Sequence, residues 1–311
     1  MRMYPISPQL AAFIAKTESF TSDDSSLASL RQNYDRMCQA FTPPKPAGLQ
    51  VGDFTLAGVR VRSYLPAAST PPDGWPCLFY IHGGGWVVGG LDSHDFICFE
   101  LASTLQVLVI AIDYRLAPEH PFPAAYDDCR DVWQAVQAGQ APHAINLQRL
   151  VVIGDSAGGN LAAALCQGLR DAGQALPKAQ VLIYPGLGGP ADLPSRRDCR
   201  DAPLLSTDDT DYYARLYLQG AGKPSAYAMP LLAEDLRRLP SALVVVAQFD
   251  PLRDDGMLYA ERLQAAGVNA VLYPGKGLIH GCLRARGQVP EVDRLYDYLL
   301  QFLRSEVLTQ V

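Results

Sequence analysis

A serine lies where a strand-like run of residues gives way to a helix-like run, in the stretch VVIGDSAGGNLAAAL at residues 151–165. The pentapeptide GDSAG within it fits the pattern G-x-S-x-G, in which small residues two before and two after the serine let the backbone approach closely at a sharp turn. The helix that follows points its N-terminus at the serine, which favours negative charge there. We therefore predict that Ser156 is a nucleophile; the alternative is a small-residue turn that begins a helix.

Three successive glycines stand in HGGGW, residues 82–86, directly after an apolar run. Glycines free the backbone to aim N–H groups at one point, and acyl transfer needs such donors to hold the oxyanion of the tetrahedral intermediate. A glycine run about seventy positions before a G-x-S-x-G motif fits that role. We predict that the N–H groups of Gly84, Gly85 and Ala157 form an oxyanion hole. His82 is interpreted as a residue that ties the loop by a hydrogen bond.

A serine nucleophile needs a general base, and the base needs a carboxylate to orient it. Of the five histidines, His280 in GLIHGC follows a strand-like run at 268–273, so a loop can return it over the sheet edge. The chain order Ser, Asp, His then predicts an acid between the two. Asp250 is favoured because it closes another strand-like run. Asp254 and Asp255 are rivals, although they stand where acids commonly cap a helix.

Hydrophobic patterning indicates the elements that must position these residues. Continuous apolar runs are typical of strands buried on both faces of a parallel sheet, and they lie at residues 77–81, 107–112, 150–153, 181–184 and 243–247. Helical patterns lie between them, at residues 123–138, 161–170 and 256–266. Residues 59–64 alternate as a half-exposed antiparallel strand does. This alternation of strands and helices predicts an α/β fold with a mostly parallel central sheet flanked by helices.

Two further regions stand outside this alternation. One helical pattern follows Ser7, which can cap it, and a second spans about 25–41. Residues 186–236 contain no buried strand pattern and one helical pattern at 208–218. Both regions are expected to form a helical cap over the carboxyl edge of the sheet. The predicted division is cap helices in 1–46, a catalytic domain in 47–185 and 237–311, and a cap or lid insertion in 186–236.

Composition excludes several classes of protein. The 311 residues carry a net charge of −6, and no basic cluster stands free of interleaved acids, so nucleic-acid binding is not expected. The seven cysteines are scattered without C-x-x-C, which argues against a disulfide framework and a metal site. The N-terminus lacks the apolar core of a signal peptide, and no run reaches the roughly 18 apolar residues of a membrane span. We expect a cytoplasmic protein with no membrane insertion.

Together the motifs resemble those of the hormone-sensitive-lipase-like group of α/β-hydrolases, whose bacterial members are called family IV esterases. The resemblance runs in the expected order through HGGGW, DYRLAPEHPFPAAYDD, GDSAGGN, DPLRDDG and the histidine loop. It implies an α/β-hydrolase fold with a helical cap, and a carboxylesterase that acts on short to medium acyl esters without a cofactor. It implies that Ser156, Asp250 and His280 form the triad, and that Asp155 fixes a loop and does not act in catalysis.

Other functions remain open at this point. The same triad serves the hydrolysis of amides, formamides and lactones. Some relatives of this group resemble the enzymes but serve as small-molecule receptors, having lost the catalytic histidine that this chain keeps. The expected partners are a small ester and water, and a homodimer is a further possibility.

The walls of a substrate pocket are expected from three regions. Trp86 and Val87 stand next to the glycine run, and Phe13 or Tyr34 of the cap helices can close the pocket. Tyr213, in the helical pattern of the insertion, either lines the acyl pocket or packs the lid helix onto the sheet domain.

Overall fold

An eight-stranded sheet lies at the centre of the computed structural model, which describes residues 4–22, 24, 26–220 and 222–307. The strands are β1 Leu49–Leu56, β2 Val59–Pro66, β3 Trp75–Ile81, β4 Leu108–Ile112, β5 Ile145–Asp155, β6 Ala179–Ile183, β7 Ser241–Val245 and β8 Ala270–Tyr273. Their spatial order is β1-β2-β4-β3-β5-β6-β7-β8. Pairing is antiparallel from β1 through β2 to β4, and parallel across the rest of the sheet. The predicted mostly parallel sheet is confirmed.

Helices cover both faces of this sheet. They are α1 Pro8–Glu18, α2 Leu27–Phe41, α3 Asp95–Leu105, α4 Ala124–Gln137, α5 Ala157–Asp171, α6 Pro194–Asp198, α7 Thr207–Tyr217, α8 Arg253–Ala265 and α9 Pro290–Val307. One core cluster joins α4, α5 and α8 to the sheet, and another joins α1, α2, α3 and α9 to it. Strands β3, β4 and β6 are therefore buried at every position, which is why they read as unbroken apolar runs in the sequence.

The first two helices begin at capped ends. Ser7 caps α1 by accepting a hydrogen bond from the Leu10 N–H at 3.3 Å, as the sequence predicts. The α2 helix is capped by Ser26 in the same manner. Its predicted start near Ser25 falls on a residue outside the described part of the chain.

Residues 186–236 contain the short helix α6, the helix α7 and a 3-10 turn at Pro230–Leu232. The α7 helix opens with a capping box, in which the Ser206 hydroxyl oxygen accepts from the Asp209 N–H and the Asp209 carboxylate accepts from the Ser206 N–H. Among the residues of this segment that the structure describes, none is in a strand. The division of the chain into cap and catalytic parts remains a prediction.

Arg31 connects α2 to the loop that follows the glycine run. Its Nε donates to the Val87 carbonyl at 2.8 Å and one Nη donates to the Ala117 carbonyl at 3.0 Å. Both Nη groups also donate to the Glu119 carboxylate, at 2.8 and 2.7 Å. The exposed ion pair alone contributes little, but the two carbonyls are part-buried and lose their partner if the side chain is removed.

We expect Arg31→Ala to loosen α2 from the sheet domain. The free energy of unfolding should fall by about 1–2 kcal/mol, because part-buried hydrogen bonds from a charged donor are lost. Amide hydrogen exchange along α2 should quicken, as measured by mass spectrometry. Arg36→Ala is the matched control, because Arg36 contacts Asn33 of the same helix. Equal effects of the two substitutions would contradict the role of Arg31.

Candidate active site

Ser156 lies at a strained turn between two elements. Strand β5 ends at Asp155, α5 begins at Ala157, and Ser156 between them has φ 53° and ψ −117°. A non-glycine residue in this region costs about 1–3 kcal/mol, so its surroundings must hold it. The Ser156 N–H donates to the Ile183 carbonyl at 2.8 Å, and the Ser156 carbonyl accepts from the Asn160 N–H at 3.1 Å. The turn therefore holds the half-buried serine at the carboxyl edge of the sheet.

The glycines that flank Ser156 are required by close backbone contacts. A Cβ added at Gly158 would lie 2.0 Å from the Ile81 carbonyl oxygen. One added at Gly154 would lie 2.3 Å from the Gly158 carbonyl oxygen. Real Cβ atoms do not approach backbone so closely, so the predicted need for small residues two before and two after the serine is confirmed.

His280 bridges Ser156 and Asp250. Its Nδ1 lies 2.8 Å from Asp250 Oδ2, and its Nε2 lies 2.8 Å from Ser156 Oγ. Asp250 is fully buried, so it acts as an acceptor that holds the Nδ1–H tautomer and leaves Nε2 free to accept from the serine hydroxyl. The other Asp250 oxygen accepts from the Leu252 N–H at 2.8 Å. The three side chains expected from the sequence thus form one continuous hydrogen-bonded chain.

The loops after β7 and β8 run side by side and bring the acid to the base. An isolated parallel bridge pairs Phe249 with Ile279, the residues just before Asp250 and His280. The Phe249 N–H donates to the Leu278 carbonyl at 3.0 Å. This pairing lies beyond the ends of the two strands, and the sequence carries no signal for it.

The two rival acids have other partners. Asp254 accepts from the Ser195 N–H at 2.8 Å. Asp255 accepts from the Leu187 and Gly189 N–H groups at 2.9 and 3.2 Å and pairs with Arg196 at 2.8 Å. Burial raises the pKa of Asp255, while Arg196 acts against that rise. Both acids therefore fasten residues 186–196 to α8.

The glycine run lies beside Ser156 in the same cavity wall. Gly84 has φ 122° and Gly85 has φ 58°, which suit glycine. A Cβ on Gly84 would lie 2.1 Å from the Val88 carbonyl oxygen. Within the described residues, the N–H groups of Gly84, Gly85 and Ala157 donate to no protein acceptor. Three unpaired donors are therefore available at this edge, as an oxyanion hole needs.

Asp155 ties the glycine loop to the turn that carries Ser156. Its Oδ1 accepts from the Tyr80 hydroxyl at 2.7 Å and from the Gly83 N–H at 3.1 Å, and His94 Nε2 lies 3.5 Å away. Burial by itself would raise the pKa of Asp155, but the charge and hydrogen bond of His94 and the Tyr80 hydroxyl outweigh it and lower that pKa to about 2. The acid is a buried anion that positions the loop.

His82 is a structural residue of the same loop. Its Nδ1 lies 2.8 Å from the Gly83 carbonyl oxygen, and its ring stacks on Tyr114 with centroids 4.2 Å apart. Burial, with His94 adding to it, lowers the pKa of His82 to about 3, so the imidazole is neutral. The interpretation of His82 as a loop-tying residue agrees with these contacts.

A cavity of about 670 Å³ opens over Ser156 and His280. Its wall combines residues of α1 and α2, of the glycine loop, of residues 186–229 and of the turn after His280. The volume is within the usual range for small-molecule sites. Three of the predicted wall residues line this cavity: Tyr34, Trp86 and Tyr213.

Two predicted wall residues do not line the cavity. Val87 is fully buried in a small cluster with Val88 and Ala117, and Val88 faces the cavity in its place. Phe13 is 2% exposed and packs on the Phe41 ring, with centroids 4.9 Å apart, so it fills the core between α1 and α2. Both predictions were wrong because neither backbone orientation in a tight loop nor the inward face of a cap helix is fixed by sequence spacing.

All seven cysteines are free and buried. Within the described residues, no group of three or more His, Cys, Asp or Glu side chains is arranged to hold a metal ion. Nor does that part of the chain contain a helix with the length and apolar character needed to cross a membrane.

The sheet order, the strained serine turn and the Asp–His–Ser chain define an α/β-hydrolase. The family model for the alpha/beta hydrolase fold matches residues 78–284, well over half of the chain. The chain is 37% identical over 278 residues to Esterase LipI of Mycobacterium tuberculosis, covering 86% of this chain and 85% of the relative. It is 39% identical over 244 residues to Carboxylesterase NlhH of the same species, covering 77% and 76%.

A solved esterase from the bacterial hormone-sensitive lipase family has a TM-score of 0.88 and 28% identity, and the match covers 99% of this chain and 100% of that one. The chain therefore belongs to the α/β-hydrolase family and, within it, to the hormone-sensitive-lipase-like group.

We expect Asp155 to contribute a pH-dependent part of the stability. Because its pKa is lowered from 3.8 to about 2 in the folded protein, it stabilises the fold above its unfolded pKa, and this contribution is lost as the pH falls towards 2. Between about pH 5 and pH 3, the free energy of unfolding should fall by about 1 kcal/mol more in the native protein than in Asp155→Asn. Urea titrations at the two pH values measure the difference.

Asp208→Asn is the control for removing one carboxylate, because Asp208 forms an exposed pair with Arg200. It should keep the native pH dependence. If the free energy of unfolding changed equally with pH in Asp155→Asn and in the native protein, Asp155 would not contribute to the pH dependence of stability.

Proposed function

We propose that the protein is a carboxylesterase that cleaves short- to medium-chain acyl esters through an acyl-enzyme on Ser156. The observation that carries the proposal is the hydrogen-bonded chain from Asp250 through His280 to Ser156, which ends in a cavity beside unpaired backbone donors. The relatives named esterase and carboxylesterase support the same chemistry, since this chain matches each of them over three quarters of its length or more.

The geometry accounts for each step of an acyl transfer. His280 Nε2 takes the hydroxyl proton while Ser156 Oγ bonds to the ester carbonyl carbon. The carbonyl oxygen becomes an oxyanion, which the N–H groups of Gly84, Gly85 and Ala157 hold. The C–O bond to the alcohol then breaks, and the alcohol leaves with the proton from His280. Water repeats the sequence on the acyl-enzyme and releases the acid. Asp250 orients the imidazole and stabilises the imidazolium that forms.

The cavity supports a small ester as substrate. Its volume of about 670 Å³ matches a small organic molecule. The Tyr213 ring stands against the glycine loop, where a Cβ on Gly85 would lie 2.5 Å from that ring. Residues of α2 also line the cavity. A cavity of this size favours acetate through octanoate over long chains.

The alternatives differ in what supports them. Amide, formamide and lactone hydrolysis would use the same three side chains, and no contact in the site selects among these bonds. A non-catalytic receptor is disfavoured because His280 stands within hydrogen-bonding distance of Ser156. A homodimer and a cytoplasmic location remain predictions from the sequence.

Substitution of the three side chains tests the mechanism. We expect Ser156→Ala and His280→Ala to lower kcat/KM for 4-nitrophenyl butyrate at least about 10³-fold, and Asp250→Asn to lower it about 10²- to 10⁴-fold. Asp254→Asn is the matched control, because Asp254 lies only four residues later, in the first turn of α8, and contacts Ser195; this variant should retain activity within a few-fold.

A phosphonate ester supplies a second readout for this mechanism. Intact-protein and peptide mass spectrometry should find one adduct, on Ser156, in the native protein and none in Ser156→Ala. Full activity of Ser156→Ala, or equal losses in Asp250→Asn and Asp254→Asn, would contradict the assignment.

Acyl length is tested by a series of 4-nitrophenyl esters from acetate to palmitate. We expect the highest kcat/KM between acetate and octanoate, because the cavity of about 670 Å³ suits a small ester. A maximum at palmitate would indicate a lipase and would overturn the size argument while leaving the triad untouched.

A further inference from the structure

One charged side chain in the cavity wall has no partner of opposite charge. Arg284 lies four residues after His280, in the 3-10 turn Cys282–Ala285, and is only 9% exposed. Its Nε is buried and has no hydrogen-bond partner. Within the described residues, no carbonyl or carboxylate accepts from the rest of its guanidinium. An arginine is always protonated in proteins, so the wall carries a fixed positive charge.

The guanidinium stands close to the reacting groups. A Cβ on Gly281, the residue after His280, would lie 3.0 Å from Arg284 Nη2. The guanidinium carbon also lies 6.0 Å from the centre of the Tyr34 ring of α2. Arg284 is therefore held between the histidine loop and the cap helix, on the wall that a bound ester would face.

The other charges of the wall do not neutralise Arg284. Arg196 has its own acid, Asp255, and also donates to the Pro251 carbonyl at 2.7 Å. Asp155 acts on Arg284 only through space, because its hydrogen bonds go to Tyr80 and Gly83. The remaining lining acids are exposed and therefore screened by solvent: Glu18, Asp24 and Asp211.

A buried charge without a partner is costly unless something else satisfies it. The planar guanidinium fits a carboxylate through two parallel hydrogen bonds, and such charge-assisted bonds are among the strongest in proteins. A phosphate monoester is a poorer match, because it carries about two charges and the described wall offers one unpaired cation beside the buried anion of Asp155.

Building on the proposed esterase function, we propose that the natural substrate is an ester that also bears a free carboxylate, and that Arg284 binds this carboxylate while Ser156 attacks the ester bond. The carboxylate can belong to the acyl half, as in a hemiester of a dicarboxylic acid, or to the alcohol half, as in an ester of a hydroxy acid. Because the guanidinium lies against Gly281, the separation between the two groups should be short.

Two matched substrate pairs separate the halves of the ester. For the acyl half, 4-nitrophenyl hemiglutarate is compared with neutral 4-nitrophenyl pentanoate. For the alcohol half, 4-acetoxybenzoate is compared with neutral 4-acetoxybenzamide. The quantity measured is the ratio of kcat/KM for the anionic ester to kcat/KM for its neutral match, which cancels general losses of activity.

We expect Arg284→Met to lower this ratio at least about tenfold for one of the two pairs, because a charge-assisted bond is lost. Arg284→Lys keeps the positive charge but lacks the planar pair of N–H donors, so it should retain more of the native ratio than Arg284→Met does. The matched control is Arg286→Met, since Arg286 pairs with Glu100 at 3.1 Å and is not part of the cavity wall. An unchanged ratio for both pairs in Arg284→Met would overturn the proposal.

Inhibition of the native protein covers the case in which Arg284→Met does not fold. Glutarate is compared with glutaramide, and 4-hydroxybenzoate with 4-hydroxybenzamide, against hydrolysis of 4-nitrophenyl butyrate. At least about tenfold tighter inhibition by one of the carboxylates supports the proposal, and equal inhibition within both pairs refutes it. Failure of the native protein to cleave any of these esters, anionic or neutral, would instead refute the esterase function itself.

Discussion

The close crossing of backbone at the serine turn is the constraint on which the rest of the site depends. Gly158 lies against the Ile81 carbonyl so tightly that no side chain fits, and this contact brings the end of β3 against the start of α5. The crossing strains Ser156 and lifts its hydroxyl over the sheet edge. It also sets the first N–H of α5 beside the glycine loop that follows β3. Nucleophile and anion donors are therefore positioned by a single feature, and Asp155 strengthens it by holding the Gly83 N–H.

Much of this arrangement could be predicted from the sequence, for reasons that differ between elements. The parallel strands were readable because burial on both faces leaves unbroken apolar runs. The sequence favours Asp250 over its two rivals because those rivals stand at a helix start, and in the structure they contact residues 186–196. Helix α3 has no amphipathic pattern in the sequence, because its apolar residues are buried around most of its circumference. Sequence spacing does not predict which of Val87 and Val88 lines the cavity, because the side chains of a loop follow no fixed periodicity.

The hydrogen-bond partners of two buried charges near the site cannot be predicted from the sequence. Asp155 and Arg284 both lie within a few residues of a triad member, and nothing in the chain distinguishes their surroundings. In the structure the acid accepts hydrogen bonds from Tyr80 and Gly83, whereas the arginine has no acceptor within the described residues. Whether a charge is satisfied depends on residues dozens of positions away, so only the assembled cavity separates a structural charge from one available to a ligand.

The wall of the cavity and the triad come from different parts of the chain, and this separation has a consequence for specificity. The reacting groups follow the carboxyl ends of β3, β5, β7 and β8, which the sheet fixes rigidly. Tyr34 and Tyr213 come from α2 and α7, so changes there can alter the ester without moving the triad. Arg284 is the exception, because its guanidinium rests on the residue next to His280. An anion bound to Arg284 would lie beside the loop that carries His280. Its binding should therefore change kcat as well as KM.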